Sequence, residues 1–100
     1  MLQAAKAGDK AALDTALADW YANAQEIADF LASANPDNWE QSAVREMMKG
    51  HIDQTTAYAS SVLTGDYEGA IKTYDEAAAH MAEMADALSA GIVAQFPDKF

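Results

Sequence analysis

Ser61-Val62-Leu63-Thr64-Gly65-Asp66-Tyr67-Glu68-Gly69-Ala70-Ile71 carries a helix stop and a helix start in two adjacent residues. Gly65 suits the left-handed position that ends a helix, because it has no Cβ to meet the neighbouring carbonyl. Asp66 suits the N-cap that follows, where a carboxylate accepts a free amide of the first helical turn. Upstream, Val44, Met48, His51, Thr55, Ala59 and Val62 recur at steps of three and four; downstream, Ile71, Tyr74, Ala78, Met81, Ala85, Leu88 and Ile92 do the same until Phe96-Pro97. Each row is one face of an amphipathic helix. The spacing therefore predicts two helices, over 39–64 and 67–95, folded back on each other at Gly65.

Towards the N-terminus the same logic gives a third helix over 10–33, capped by Asp9 and marked by Leu13, Leu17, Trp20, Ala24, Ile27 and Leu31. It ends in Ser33-Ala34-Asn35-Pro36-Asp37-Asn38, where Pro36 biases Asn35 away from helical dihedrals. Asp37 and Glu40 have capping-box spacing, which starts the next helix at Trp39. Three helices joined by short turns are antiparallel neighbours. The expected fold is all-α: an up-down-up three-helix bundle filling residues 1–100 as one domain, with a short helical stub at the N-terminus. Ala7-Gly8-Asp9-Lys10 echoes Thr64-Gly65-Asp66-Tyr67, and on that register Leu2 to Lys6 correspond to Ala59 to Leu63, the end of a helix. The chain would then begin inside a repeat.

Composition narrows the function classes. Of the 51% apolar residues, 24 are alanine, the strongest helix former and one that leaves little bulk between helices. Sixteen acidic against six basic residues give a formal charge of −10, which repels phosphate backbones and anionic lipid, so neither nucleic acid nor a membrane is an expected partner. There is no cysteine, which removes disulfides and thiolate chemistry. No signal-like or membrane-spanning run is visible, so a cytoplasmic location is expected. A phosphate-binding glycine loop and a Gly-x-Ser-x-Gly elbow are both missing, and the balance is against an enzyme.

Several runs resemble one family: Ala4-Ala5-Lys6-Ala7-Gly8-Asp9-Lys10-Ala11-Ala12-Leu13, Trp20-Tyr21-Ala22-Asn23-Ala24, Leu31-Ala32-Ser33-Ala34-Asn35-Pro36, Glu46-Met47-Met48 before His51, Met84-Ala85-Asp86-Ala87-Leu88-Ser89, and Gln95-Phe96-Pro97. This family consists of small, uncharacterised prokaryotic helical proteins built from two similar three-helix halves, and the chain is similar to its C-terminal half to two-thirds. The resemblance implies a helical bundle and no particular activity. Family members place an acidic residue before each histidine, whereas Gly50 and Ala79 stand there in this chain. Three helices taken from a six-helix assembly would expose apolar surface, which implies repair by dimerisation.

Both histidines and every methionine except Met1 lie in Met47-Met48-Lys49-Gly50-His51 and His80-Met81-Ala82-Glu83-Met84. Reflection about Gly65 sets His51 level with His80, Met47 with Met84, Met48 with Glu83 and Gly50 with Met81; reflection about the other turn brings Trp20, Tyr21 and Asn23 near the same storey. Imidazole suits zinc, copper and haem iron, and thioether suits Cu(I). His51, His80, Met47, Met84 and Glu83 are thus the candidate metal ligands, set against the plainer reading that methionine fills core gaps and each histidine sits at a core boundary. Glu76, His80 and Glu83 share a second stripe, and Lys72 stands at ion-pair spacing from Glu76. Gly50 should cost roughly 1 kcal/mol in a helix relative to alanine, and room for Met81 is the expected reason. The leading expectation is a non-enzymatic assembly or interaction module that forms a homodimer and needs no cofactor. A small copper-, zinc- or haem-binding bundle is the alternative.

Overall fold

A computed structural model describes all of residues 1–100, as helices α1 (Leu2–Ala7), α2 (Lys10–Ala34), α3 (Gln41–Thr64) and α4 (Tyr67–Gln95), with a closing 3-10 turn at Pro97–Lys99. There is no strand, and no helix is long and apolar enough to cross a membrane.

The two Gly-Asp pairs fold alike. Gly8 and Gly65 adopt φ of 72° and 79°, the only positive values in the chain. In each joint the glycine and the following aspartate turn their amides back onto the helix just ended: Gly8 to Ala5 O and Asp9 to Ala4 O, then Gly65 to Val62 O and Asp66 to Ser61 O. This is the paired bonding of a Schellman stop. Asp9 then accepts from the Ala12 amide and Asp66 from the Gly69 amide, so both restarts are capped.

The α2–α3 connection is built differently from the expectation. Trp39 lies in the turn and α3 opens at Gln41, with Glu40 as an N-cap that makes no side-chain cap bond. Asn35 organises the turn instead. Its carbonyl accepts the Asn38 and Trp39 amides, its side-chain oxygen accepts from Asn38 Nδ2 at 2.8 Å, and its own Nδ2 donates to Gly91 O on α4 at 2.8 Å. Only 2% of Asn35 is exposed, and a polar side chain is stable at such a site because both ends of its amide are satisfied. Beside it, the buried Trp39 donates from Nε1 to Ala87 O at 3.1 Å. Gly91 makes this possible, since a Cβ there would lie 2.0 Å from Trp39 Nε1. Gln95 adds a bond to Ala34 O. Ala28, Trp39 and Val44 form the buried cluster at this end, with Leu31, Met47, Met48 and Leu88 packed around it.

Cross-helix pairs ascend one helix while descending its neighbour: Tyr21 with Asp53 and Asp29 with Arg45 between α2 and α3, then Met47 with His80 and Tyr58 with Tyr74 between α3 and α4. α3 packs against both α2 and α4, whereas the hydrogen bonds tying the α2 end to α4 all lie at the Asn35 corner. The helical bundle is thus closed at one end and open beyond it. Its extents are 51 × 28 × 19 Å and its radius of gyration is 16.1 Å, against about 13 Å for a compact chain of this length.

Which stripes are buried corrects the sequence reading. On α2 the buried ridge is Ala24, Ala28 and Ala32, while Ile27 is exposed. On α4 the inward row is Ala70, Thr73, Ala77, His80, Met84, Ala87 and Gly91. The row expected to form the core lies one position away, and its members Ile71, Tyr74, Met81 and Ile92 are exposed. Small residues let helix backbones approach closely, so α2 and α4 bury mostly alanine and glycine positions while α3, between them, buries Val44 and Ile52, and the bulkier stripe of α4 is left needing a further wall.

Candidate functional site

Of the expected Met/His layer, the cross-helix contacts present are those of His80 with Met47 and Gly50. His80 lies half-buried on the α3-facing row of α4, and its Nε2 is 3.0 Å from Met47 O. A carbonyl oxygen only accepts, so Nε2 carries the hydrogen of this bond. The ring also occupies the space above Gly50, where a Cβ would come within 3.3 Å of Nε2. Gly50 therefore makes room for His80, not for Met81, which faces outward at 43% exposure.

The remaining candidates divide by side. Met84 is buried, Met47 is half-buried against the Ala28–Trp39–Val44 cluster, and His51 is half-buried on α3. Glu83 is exposed, as is Glu76, so the Glu76–His80–Glu83 stripe splits, with the imidazole turned towards α3 and both carboxylates in solvent. No three histidine, aspartate or glutamate side chains gather as a metal-holding group. A metal at His80 would have to bind through Nδ1 or break the bond to Met47 O. Lys72 forms no ion pair with Glu76; the pairs present are Lys10–Asp14, Arg45–Asp29 and Lys49–Asp53.

Two polar rivets on the α2–α3 seam escaped the sequence reading. Arg45 donates from Nε at 2.6 Å and from Nη2 at 2.8 Å to the two oxygens of Asp29, which also accepts from Gln41. The guanidinium holds the Asp29 carboxyl below its ordinary range, and the carboxylate in return raises Arg45. One storey away, Tyr21 donates its hydroxyl to Asp53, whose other oxygen pairs with Lys49 at 2.7 Å, and the Lys49 ammonium lies 5.9 Å from the Tyr21 ring centre. Hydrogen bonding to Lys49 first, and to Tyr21 second, lowers the Asp53 carboxyl. The same carboxylate raises Tyr21 by accepting a hydrogen bond from its hydroxyl and raises Lys49 by hydrogen-bonding and pairing with it. Each cation here is matched to a carboxylate, so these groups fasten helices and leave no free charge for a ligand.

The largest unexplained feature is apolar. Tyr67 and Ile71 are each 66% exposed and Tyr74 59%, and Met81, Ile92 and Phe96 continue the same side of α4. Tyr74 also packs against Tyr58 of α3, with ring centres 5.8 Å apart and planes tilted by 55°. Near the open end, Leu2 of α1, Val62 and Leu63 of α3 are exposed too. Scattered apolar residues are ordinary on a surface, but a row running the length of a helix is not. No protein-family model, curated protein or solved structure matches the chain.

Proposed function

We propose that the chain is a non-enzymatic helical assembly module: an up-down-up three-helix bundle whose working surface is the uncovered apolar side, closed by a second copy. The observation carrying this reading is an excess of surface. The chain exposes 6711 Å², whereas a compact monomer of 10.7 kDa exposes about 5,500 Å². The surplus, roughly 1,200 Å², exceeds the approximately 800 Å² that each partner contributes to a standard stable interface. Apolar area left in water costs about 25 cal/mol per Å², so covering the row is favourable for any partner of matching shape, and an identical chain is present at the same concentration by construction. Light scattering over a wide concentration range tests the reading. A dimer mass falling to monomer on dilution is expected, and a monomer mass that persists at high concentration with full cooperative melting would overturn it.

A further inference from the structure

We infer that a second copy seats on α4 itself, forming an antiparallel α4–α4 seam with its two-fold axis passing between Ala79 and His80; this rests on the assembly reading above. The exposed row is Tyr67, Ile71, Tyr74, Ala78, Met81, Ala85, Leu88 and Ile92, with strictly alternating steps of four and three. That is a heptad seam with a mean period of 3.5, the pattern of a left-handed helix pair. All but Leu88 are exposed, and Leu88 joins the seam to the Ala28–Trp39–Val44 cluster, so the new interface continues an existing core.

Side-chain size fixes direction and register. In the antiparallel register about this axis, Tyr74 lies opposite Ala85 of the second copy and Met81 opposite Ala78, so each bulky residue meets a small one. Ile71 then meets Leu88, and Tyr67 meets Ile92. A parallel pairing would oppose Tyr74 to Tyr74, Met81 to Met81, Ala78 to Ala78 and Ala85 to Ala85, stacking bulk on bulk and leaving gaps at the alanines. Close-packed interfaces penalise both faults.

Charge agrees with size. One flank of the seam, Ala70, Ala77, Met84 and Gly91, is already buried or half-buried within the chain. The other flank is Glu68, Asp75, Ala82 and Ser89. In the antiparallel register Glu68 faces Ser89 and Asp75 faces Ala82, so no two carboxylates meet, which matters for a chain of charge −10 that is joining its own kind. The antiparallel arrangement also sets the two helix dipoles head to tail.

The absence of cysteine provides a clean background for cross-linking. Chains carrying Tyr74→Cys and chains carrying Ala85→Cys are mixed, oxidised and resolved by mass, with light scattering on the unmodified protein alongside. A Tyr74→Cys/Ala85→Cys heterodimer is expected, with few homodimers, because each position lies about 16 Å along the axis from its own copy. Met81→Lys, a change at an exposed site, should weaken dimerisation at least about 100-fold with helicity unchanged, since it places a charge in the seam. A dimer in solution that yields homodimeric cross-links or none, or that tolerates Met81→Lys, overturns the seam while leaving self-association standing. A monomer by light scattering overturns both.

Discussion

Replacing Gly91 with alanine separates the intrinsic preference of a helix from the demands of packing, and the two have opposite signs. In a helix interior alanine is favoured over glycine by about 1 kcal/mol. At this position a Cβ would stand 2.0 Å from Trp39 Nε1, 2.5 Å from Cε2 and 2.8 Å from Cδ1, so the whole pyrrole edge must leave. Expelling a buried tryptophan approaches the cost of deleting it, about 3–5 kcal/mol, and its bond to Ala87 O adds roughly 1 kcal/mol. Partial re-burial of the displaced ring recovers some of this. Gly91→Ala should therefore destabilise by about 2–4 kcal/mol, equivalent to a fall in Tm on the order of 10–20 °C for a domain of this size. With Trp39→Ala already in place the obstruction is gone, and the same substitution should stabilise by up to about 1 kcal/mol. A double-mutant cycle by urea unfolding, followed by circular dichroism at 222 nm and fixed chain concentration, measures the coupling directly. A coupling below about 0.5 kcal/mol, the usual limit of additivity, would refute the account of this corner.

Other perturbations probe the joints and the rivets. Gly65→Ala, at φ 79°, should lower stability by about 1 kcal/mol in the same unfolding assay, since a side chain there is forced into the left-handed region. Gly50→Ala should be close to neutral alone, because helix preference opposes crowding of the His80 ring, yet stabilising by about 1 kcal/mol when combined with His80→Ala; equal effects in both backgrounds would contradict the contact. The depressed carboxyls of Asp29 and Asp53 contribute stability that is present above about pH 4, the unfolded carboxylate value, and lost as pH falls through their lower folded values. Asp29→Asn should flatten the acid limb of a stability–pH curve. The raised Tyr21 phenol works in the other direction: its contribution is present below about pH 10 and lost as pH rises through its folded value, so Tyr21→Phe should flatten the alkaline limb.

The elements were legible because their signals are local. Gly65-Asp66 states a stop and a start whatever surrounds it, and the three-and-four steps of apolar residues report a helix without reference to neighbours. The corner at Asn35 was less legible, because the capping-box spacing of Asp37 and Glu40 competes with the stronger demand of Trp39 to be buried against α4. A trace of it was present: reflection about Gly65 brings position 39 level with position 92, next to a glycine with no local reason to be there. The predicted faces of α2 and α3 are buried or half-buried apart from Ile27 and Val62, whereas the orientation of α4 was not legible. Hydrophobicity favours Ile71, Tyr74 and Met81 for the interior, whereas the helices meet through Ala70, Ala77, His80 and Gly91, because adjacent stripes on one helix differ more in bulk than in polarity. The candidate ligands suffer from the same limit. Axial level could be read by reflection, but whether a side chain at that level faces α3 or solvent depends on which stripe is chosen, and this parts His80 from Glu83.

α4 meets the α2 end only near its own C-terminus, through Gly91 and Gln95, and Trp39 bonds to Ala87 beside them; from that corner to Tyr67 the helix rests on α3. From Gly91 to Tyr67 is roughly 36 Å of helix, so a tilt of about 5° against α3 would carry the far tip through approximately 3 Å, half a helix radius. Whatever seats along that helix sets the aperture between its tip and α2, which makes the jaw width of the molecule a property of its company.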